Sequence, residues 1–129
     1  MRRPERSANR DELPADIRRI LTYIEENAFN PELNVQKIKL DCRLRDNNVS
    51  SRFRFFLGAT IRDYLESRRM KAATALLTQS QATILEVAFA VGYNSLQTFY
   101  GAFRRKYSCT PDAYRKKIEG SQGEAPGSP

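Results

Sequence analysis

The sequence predicts an all-α fold of about seven helices, in which a unit of short helix, turn and longer helix occurs twice around one long helix. Three observations carry this. Apolar residues recur at helical spacing from about Leu13 to about Ile118, and no segment alternates as a half-buried strand would. Gly, Pro and capping residues interrupt that periodicity at short intervals. Residues about 50 positions apart match in type over more than one helix.

Residues 1–12 are charged, mixed in sign and almost without large apolar groups, which predicts a disordered tail. The first subdomain spans 13–58. Pro14 suits the start of a helix over 15–27, whose Ile17, Ile20, Leu21 and Ile24 share one face. NPELN (30–34) is a turn, and Val35, Ile38 and Leu40 mark a short helix. Asp46 is placed to cap the next one, in which Val49, Phe53, Phe56 and Leu57 form a stripe ended by Gly58. The linker helix occupies 59–79, with Ile61, Tyr64, Leu65, Ala72, Leu76 and Leu77 as its apolar side. The second subdomain spans 80–118. Thr83 caps a helix through Ile84, Val87, Ala88 and Val91 that Gly92 ends, and Ser95 caps one carrying Phe99, Ala102 and Phe103. Thr110-Pro111 opens a last short helix, and residues 119–129, rich in Gly, Ser and Pro, predict a second disordered tail.

An offset of 50 places Phe53 on Phe103, Arg54 on Arg104, Val49 on Phe99 and Asn47 on Gln97. It continues with Leu57 on Tyr107, Thr60 on Thr110 and Tyr64 on Tyr114, and runs back to Val35 on Leu85 and Ile38 on Ala88. Two amphipathic helices always match somewhere. A match that continues through the following turn into the next helix points to duplication.

Composition narrows the chemistry. The 129 residues contain no His, which excludes a Ser-His-Asp triad, a Cys-His pair and His-ligated metal. Cys42 and Cys109 are too far apart for a CxxC site and read as inert small apolar residues in a reducing cytoplasm. No catalytic roles, cofactor or metal are expected. The opening MRRPERSANRDE has no apolar stretch behind its charges, so it is no signal peptide. The longest nearly apolar run, ILEVAFAVG (84–92), contains Glu86 and is too short to span a membrane. The net charge of +7, from 22 Lys+Arg against 15 Asp+Glu, suggests a polyanionic partner.

Helical geometry then sorts the exposed residues. With Phe99 and Phe103 inward, Gln97, Gly101 and Arg104 point out; with Val49, Phe53 and Phe56 inward, Asn47, Ser51 and Arg54 do. An amide side chain can pair bidentately with adenine, and Arg can reach guanine or phosphate. One such face reads as a solvated surface, whereas two equivalent faces on a basic chain point to base reading. The basic residues cluster as Arg52/Arg54, Arg68-Arg69-Lys71, Arg104-Arg105-Lys106 and Arg115-Lys116-Lys117. Arg52, Arg54, Arg104, Arg105 and Lys106, on the candidate recognition helices, suit phosphate contacts. Arg69 lies at the edge of an apolar side and reads as a structural ion-pair residue. Phe55 is placed partly exposed, open to a thymine methyl or sugar, to a protein partner, or to the rim of the core.

The stretches YLESRRMKAATALL (64–77) and ILEVAFAVGYNSLQTFYGAFRRKYSCTPDAYR (84–115) resemble the DNA-binding domain of the AraC/XylS family of bacterial transcription regulators. They are similar to that family's linker helix, its I-x-x-[IV]-A-x3-G-[FY] and F-x3-F-[KR]-[KR] signature, and its closing T-P-x2-[YF]-R. The resemblance covers about 13–118. It implies two helix-turn-helix subdomains of homeodomain-like build joined by a long linker helix, with two recognition helices in successive major grooves on one face of DNA, Asn47, Ser50 and Ser51 reading bases from the first and Leu96, Gln97 and Gly101 from the second. The chain departs from the pattern where Arg43 replaces the Gly of the first turn, Lys39 an Ala, Gly101 a common Arg, and Ser108 the Gly before Thr-Pro; an unusual first turn is the expectation. The implied function is a sequence-specific double-stranded DNA-binding transcription regulator, acting as a monomer, with RNA polymerase as the partner of activation. It would be either a small stand-alone regulator or the DNA-binding part of a longer one. The alternative is a protein-interaction module on the same fold with weak or non-specific DNA binding.

Overall fold

The structure, a computed structural model, describes residues 10–44 and 48–124, with side chains as far as Gly120. Among the described residues there are seven α-helices and no strand, as the sequence predicts. They are α1 (Ala15–Asn27), α2 (Val35–Asp41), α3 (Val49–Leu57), α4 (Ile61–Gln79), α5 (Ile84–Ala90), α6 (Leu96–Tyr107) and α7 (Pro111–Glu124).

Side-chain caps explain where most of them begin. The Asn34 side chain accepts the Lys37 amide at 2.8 Å, and Thr60 Oγ1 accepts that of Asp63 at 3.0 Å. Thr83 and Glu86 form a reciprocal capping box, in which each side chain accepts the other's backbone N–H. Ser95 Oγ accepts the Thr98 amide and Thr110 Oγ1 that of Ala113, both at 3.1 Å. Asn48 stands at the N-cap of α3, and the expected cap, Asp46, lies outside the described residues.

Both ends of the folded part reach further than the sequence indicated. Arg10–Glu12 form a 3-10 turn instead of belonging to a tail, because Arg10 pairs with Glu25 of α1 while Leu13 behind it is buried. Helix α7 continues past Ile118 to Glu124. Gly120 lies inside it, and a helical Gly costs about 1 kcal/mol without removing a hydrogen bond. The remainder of both expected tails, 1–9 and 125–129, lies outside the described residues.

The chain divides into two compact units, residues 1–68 and 69–129. The first closes on Ile17, Ile20, Leu21 and Ile24 of α1, Ile38 of α2, Val49 and Phe53 of α3, and Ile61 and Leu65 of α4. The second closes on Met70, Ala73 and Leu77 of α4, Val87 and Ala88 of α5, and Phe99, Ala102 and Phe103 of α6. Helix α4 therefore has no single apolar side. Its first residues are buried in one core and its later ones in another. Met70 and Ala73, absent from the expected stripe, are fully buried, while Tyr64, Ala72 and Leu76 are half-buried.

The repeat is physical as well as compositional. Gly58 and Ser108, 50 positions apart, both take left-handed backbone (φ 78° and 63°), and their amides donate to the Arg54 and Arg104 carbonyls at 2.8 and 2.9 Å. Phe53 meets Tyr64 edge-on with ring centroids 5.9 Å apart, and Phe103 meets Tyr114 the same way at 5.5 Å. Before the turn the register differs from the expected one. The caps Asn34 and Thr83, and the helices Val35–Asp41 and Ile84–Ala90, match at an offset of 49. Ile38 thus corresponds to Val87, equally buried, and not to Ala88; Leu85, expected opposite Val35, is 45% exposed. A one-residue difference in turn length is invisible to residue matching but is set by which side chains reach the core.

Candidate nucleic-acid interface

Each unit holds a helix-turn-helix, α2–α3 in the first and α5–α6 in the second. The start of each turn is set by backbone hydrogen bonds. In the first, Leu44 N–H donates to the Lys39 carbonyl at 2.9 Å and Arg43 N–H to that of Leu40 at 3.0 Å. In the second, Tyr93 N–H donates to Ala88 at 3.0 Å and Gly92 N–H to Phe89 at 3.2 Å. Both are Schellman endings, which require a left-handed residue after the cap. Gly92 supplies it at φ 106°, and Arg43 supplies it at φ 58°. The unusual geometry anticipated from Arg43 is thus absent where helix α2 ends. The Arg takes the glycine conformation at a cost of about 1–2 kcal/mol.

The sequence-predicted site residues separate into several groups. On α3, Ser51 and Arg54 are exposed and Ser50 is half-buried; Asn47 lies outside the described residues. On α6, Leu96 and Gln97 stand exposed at the first two positions, and Gly101 is half-buried one turn later. A Cβ added at Gly101 would lie 3.8 Å from Arg105 Nη1, so the guanidinium of Arg105 folds back over this position. Arg104, Arg105 and Lys106 are exposed in the last turn of α6, where the helix dipole favours cations.

Arg52 departs from its expected phosphate role. Its Nη1 and Nη2 close on Asp16 Oδ2 and Oδ1 at 2.7 and 3.1 Å, tying α3 to the first turn of α1. The same pair holds the Asp16 carboxyl below its ordinary range, helped by the Ile17 amide. A guanidinium already matched bidentately to a carboxylate has its fork occupied.

Two other basic residues also serve the scaffold. Arg69 is buried with its guanidinium 5.2 Å from the centroid of the Tyr93 ring. Arg115, counted from sequence in a basic run, spans three carbonyls: Leu77 at 3.0 Å from Nε, Ala82 at 2.7 Å from Nη1 and Ser80 at 3.3 Å from Nη2. It thereby satisfies orphan acceptors at the end of α4 and in the loop that follows. Its place in the T-P-x2-[YF]-R motif was the available signal. On the outer side of α6, the Tyr100 hydroxyl donates to Asp112 Oδ1 at 2.5 Å, which pushes its pKa up to about 12.

Among the described residues no helix is long and apolar enough to cross a membrane, and no group of three or more potential ligands could hold a metal. What the two helix-turn-helices offer is a pair of short exposed faces, polar at the helix start and cationic towards the end of α6.

Residues 43–117 match the model of a helix-turn-helix domain family. The chain is 31% identical over 99 residues to the F1 operon positive regulatory protein of Yersinia pestis, covering 77% of this chain and 33% of that one. It is 29% identical over 102 residues to the regulatory protein SoxS of Escherichia coli K12, covering 79% and 94%. The crystallised DNA-binding domain of AdpA, a global transcriptional factor in complex with a target DNA, shares the fold with a TM-score of 0.76 at 22% identity, covering 87% and 100%. The chain thus spans a third of one relative and nearly all of another. With the duplicated turn, the paired caps and the matched stretch together, the chain belongs to the helix-turn-helix family of AraC-type DNA-binding domains of transcription regulators.

Proposed function

We propose that this domain binds duplex DNA sequence-specifically through two recognition helices, α3 and α6, placed in successive major grooves. The observation that carries the reading is the duplication. The same Schellman ending, the same left-handed residue after the recognition helix and the same aromatic pair occur in both units, and each recognition helix keeps an exposed polar face. A unit retained only for packing has no need of the second face. The AdpA domain, crystallised in complex with a target DNA, has the same fold.

In this reading Gln97 and Leu96 meet base edges from the start of α6, and Gly101 follows one turn on, beneath the Arg105 guanidinium. Ser50, Ser51 and Asn47 serve α3. Arg54, Arg104, Arg105 and Lys106 contact phosphates and supply most of the affinity without sequence preference. RNA polymerase is the partner through which a bound regulator of this kind would act. The exposed Leu40, Leu85 and Phe89 favour the second reading, a protein-interaction module.

Selection of bound duplexes from a random pool, followed by titration of the winner at several salt concentrations, tests the proposal. Affinity should fall steeply with salt, by about 0.9 in log K per log salt for each phosphate neutralised. Gln97→Ala should cost on the order of 1–3 kcal/mol at one base pair and relax preference there, while Arg104→Ala weakens all sequences alike. Salt-independent affinity with no enriched sequence would leave the protein-interaction reading standing instead.

A further inference from the structure

Phe55 is 74% exposed on α3, although Val49 and Phe53 of the same helix are fully buried. It lies one helical turn beyond Ser51, so the two share the outer face of the recognition helix together with Arg54. Its ring meets the half-buried Phe56 edge-on, with centroids 5.1 Å apart and planes at 85°. The repeat gives an independent view of this position. Phe55 corresponds to Arg105, and Ser51 to Gly101, at the offset of 50 that holds throughout the recognition helices. In the second unit the side chain at 105 folds back over position 101, with Nη1 3.8 Å from where its Cβ would stand. The side chain at this position therefore covers the same patch as the residue one turn earlier.

The two units thus carry opposite chemistry at one geometric position: a guanidinium in the second and an exposed phenyl ring in the first. The major-groove edge of DNA is lined with hydrogen-bond donors and acceptors, and its one apolar group is the C5 methyl of thymine. We propose that Phe55 is a specificity-determining residue of the first recognition helix, packing its ring against a thymine methyl in the half-site read by α3. The proposal rests on the DNA-binding reading above. It adds that the half-site read by α3 is chosen partly by apolar contact at a position where α6 carries a phosphate-binding Arg instead.

The test uses the full chain and the duplex it selects from a random pool. Each thymine is replaced singly by deoxyuridine, which removes only the methyl group. With the unaltered protein, one position, or two adjacent ones, confined to one half-site should lose affinity about fourfold, the factor expected for one buried methyl-sized group. Phe55→Ala should bind the thymine and uracil duplexes equally. Phe55→Leu, which keeps an apolar side chain, should retain part of the difference. Both variants change an exposed side chain, so folding is not at stake. The proposal is overturned if no thymine is enriched, if every uracil substitution is neutral, or if Phe55→Ala keeps the thymine preference. Failure of the chain to select any duplex would sink the DNA-binding reading itself, a different result from selection without methyl sensitivity.

Discussion

At the scale of single residues, the guanidinium groups show that charge and role are separable. Arg52 and Arg54 are two positions apart in sequence, yet one closes on Asp16 and the other remains exposed. The sign of the pH effect follows from the first. Asp16 has a lowered folded-state pKa, so its pair with Arg52 contributes stability that is present above the unfolded carboxylate value of about 3.9. That contribution disappears as pH falls through the lower folded value. Asp16→Asn should therefore destabilise the first unit near neutrality by about 0.5–1 kcal/mol, a range discounted for the partial exposure of both side chains. The difference from the unaltered chain should shrink as pH falls below the unfolded carboxylate value. Denaturant unfolding at pH 7 and pH 2.5 measures it; an equal difference at both would show that the pair's ionisation plays no part. Arg52 could not have been separated from Arg54 by composition, because its partner is on another helix.

Among elements, the end of α4 and the loop into α5 depend on a side chain from far along the chain. Arg115 on α7 binds three carbonyls there, and those acceptors have no helical partner of their own. Removing it leaves them half-buried and unsatisfied, so Arg115→Ala should cost the second unit about 1.5–3 kcal/mol, the range for hydrogen bonds to a charged group. Arg115→Lys should recover little of this, because one ammonium cannot span three carbonyls as a planar fork does. Thermal unfolding of both variants checks the pair, and full rescue by Lys would mean that charge alone is needed. The turns make a related point. The Gly expected after α2 is replaced by Arg43 and that before Thr-Pro by Ser108, yet both positions keep positive φ. Cap hydrogen bonds and the buried residues on either side dictate the turn, and the residue there pays the strain.

For the molecule as a whole, the proposal is that both recognition helices engage one face of the duplex. Helix α4 has no Gly or Pro between Ile61 and Gln79, and its 19 residues make roughly 28 Å at 1.5 Å rise per residue. Successive major grooves on one face are about 34 Å apart. Inserting about five base pairs between the two halves of a selected site turns one half to the far side of the duplex. Affinity should then drop to that of a single half-site, while the same insertion outside the site has no effect. An unchanged affinity, or protection of one groove only, would show that one unit alone reads DNA.

The all-α class, the seven helices and the duplicated unit were legible without any structure, because helical periodicity and capping are local and recur wherever the chain repeats them. The family was legible too, in the run of residues from Tyr64 to Arg115. Tertiary packing decided the rest. It placed Arg52 on Asp16 and Arg115 on the loop after α4, pairings whose partners are far apart in sequence. It made the spacing between the two helices one residue different in the two motifs, with Ile38 and Val87 at equivalent core positions. It divided the apolar residues of α4 between two cores, which no single helical stripe could express. Local chemistry specifies which segments are helical; only burial against the rest of the chain specifies which of their residues remain available for DNA.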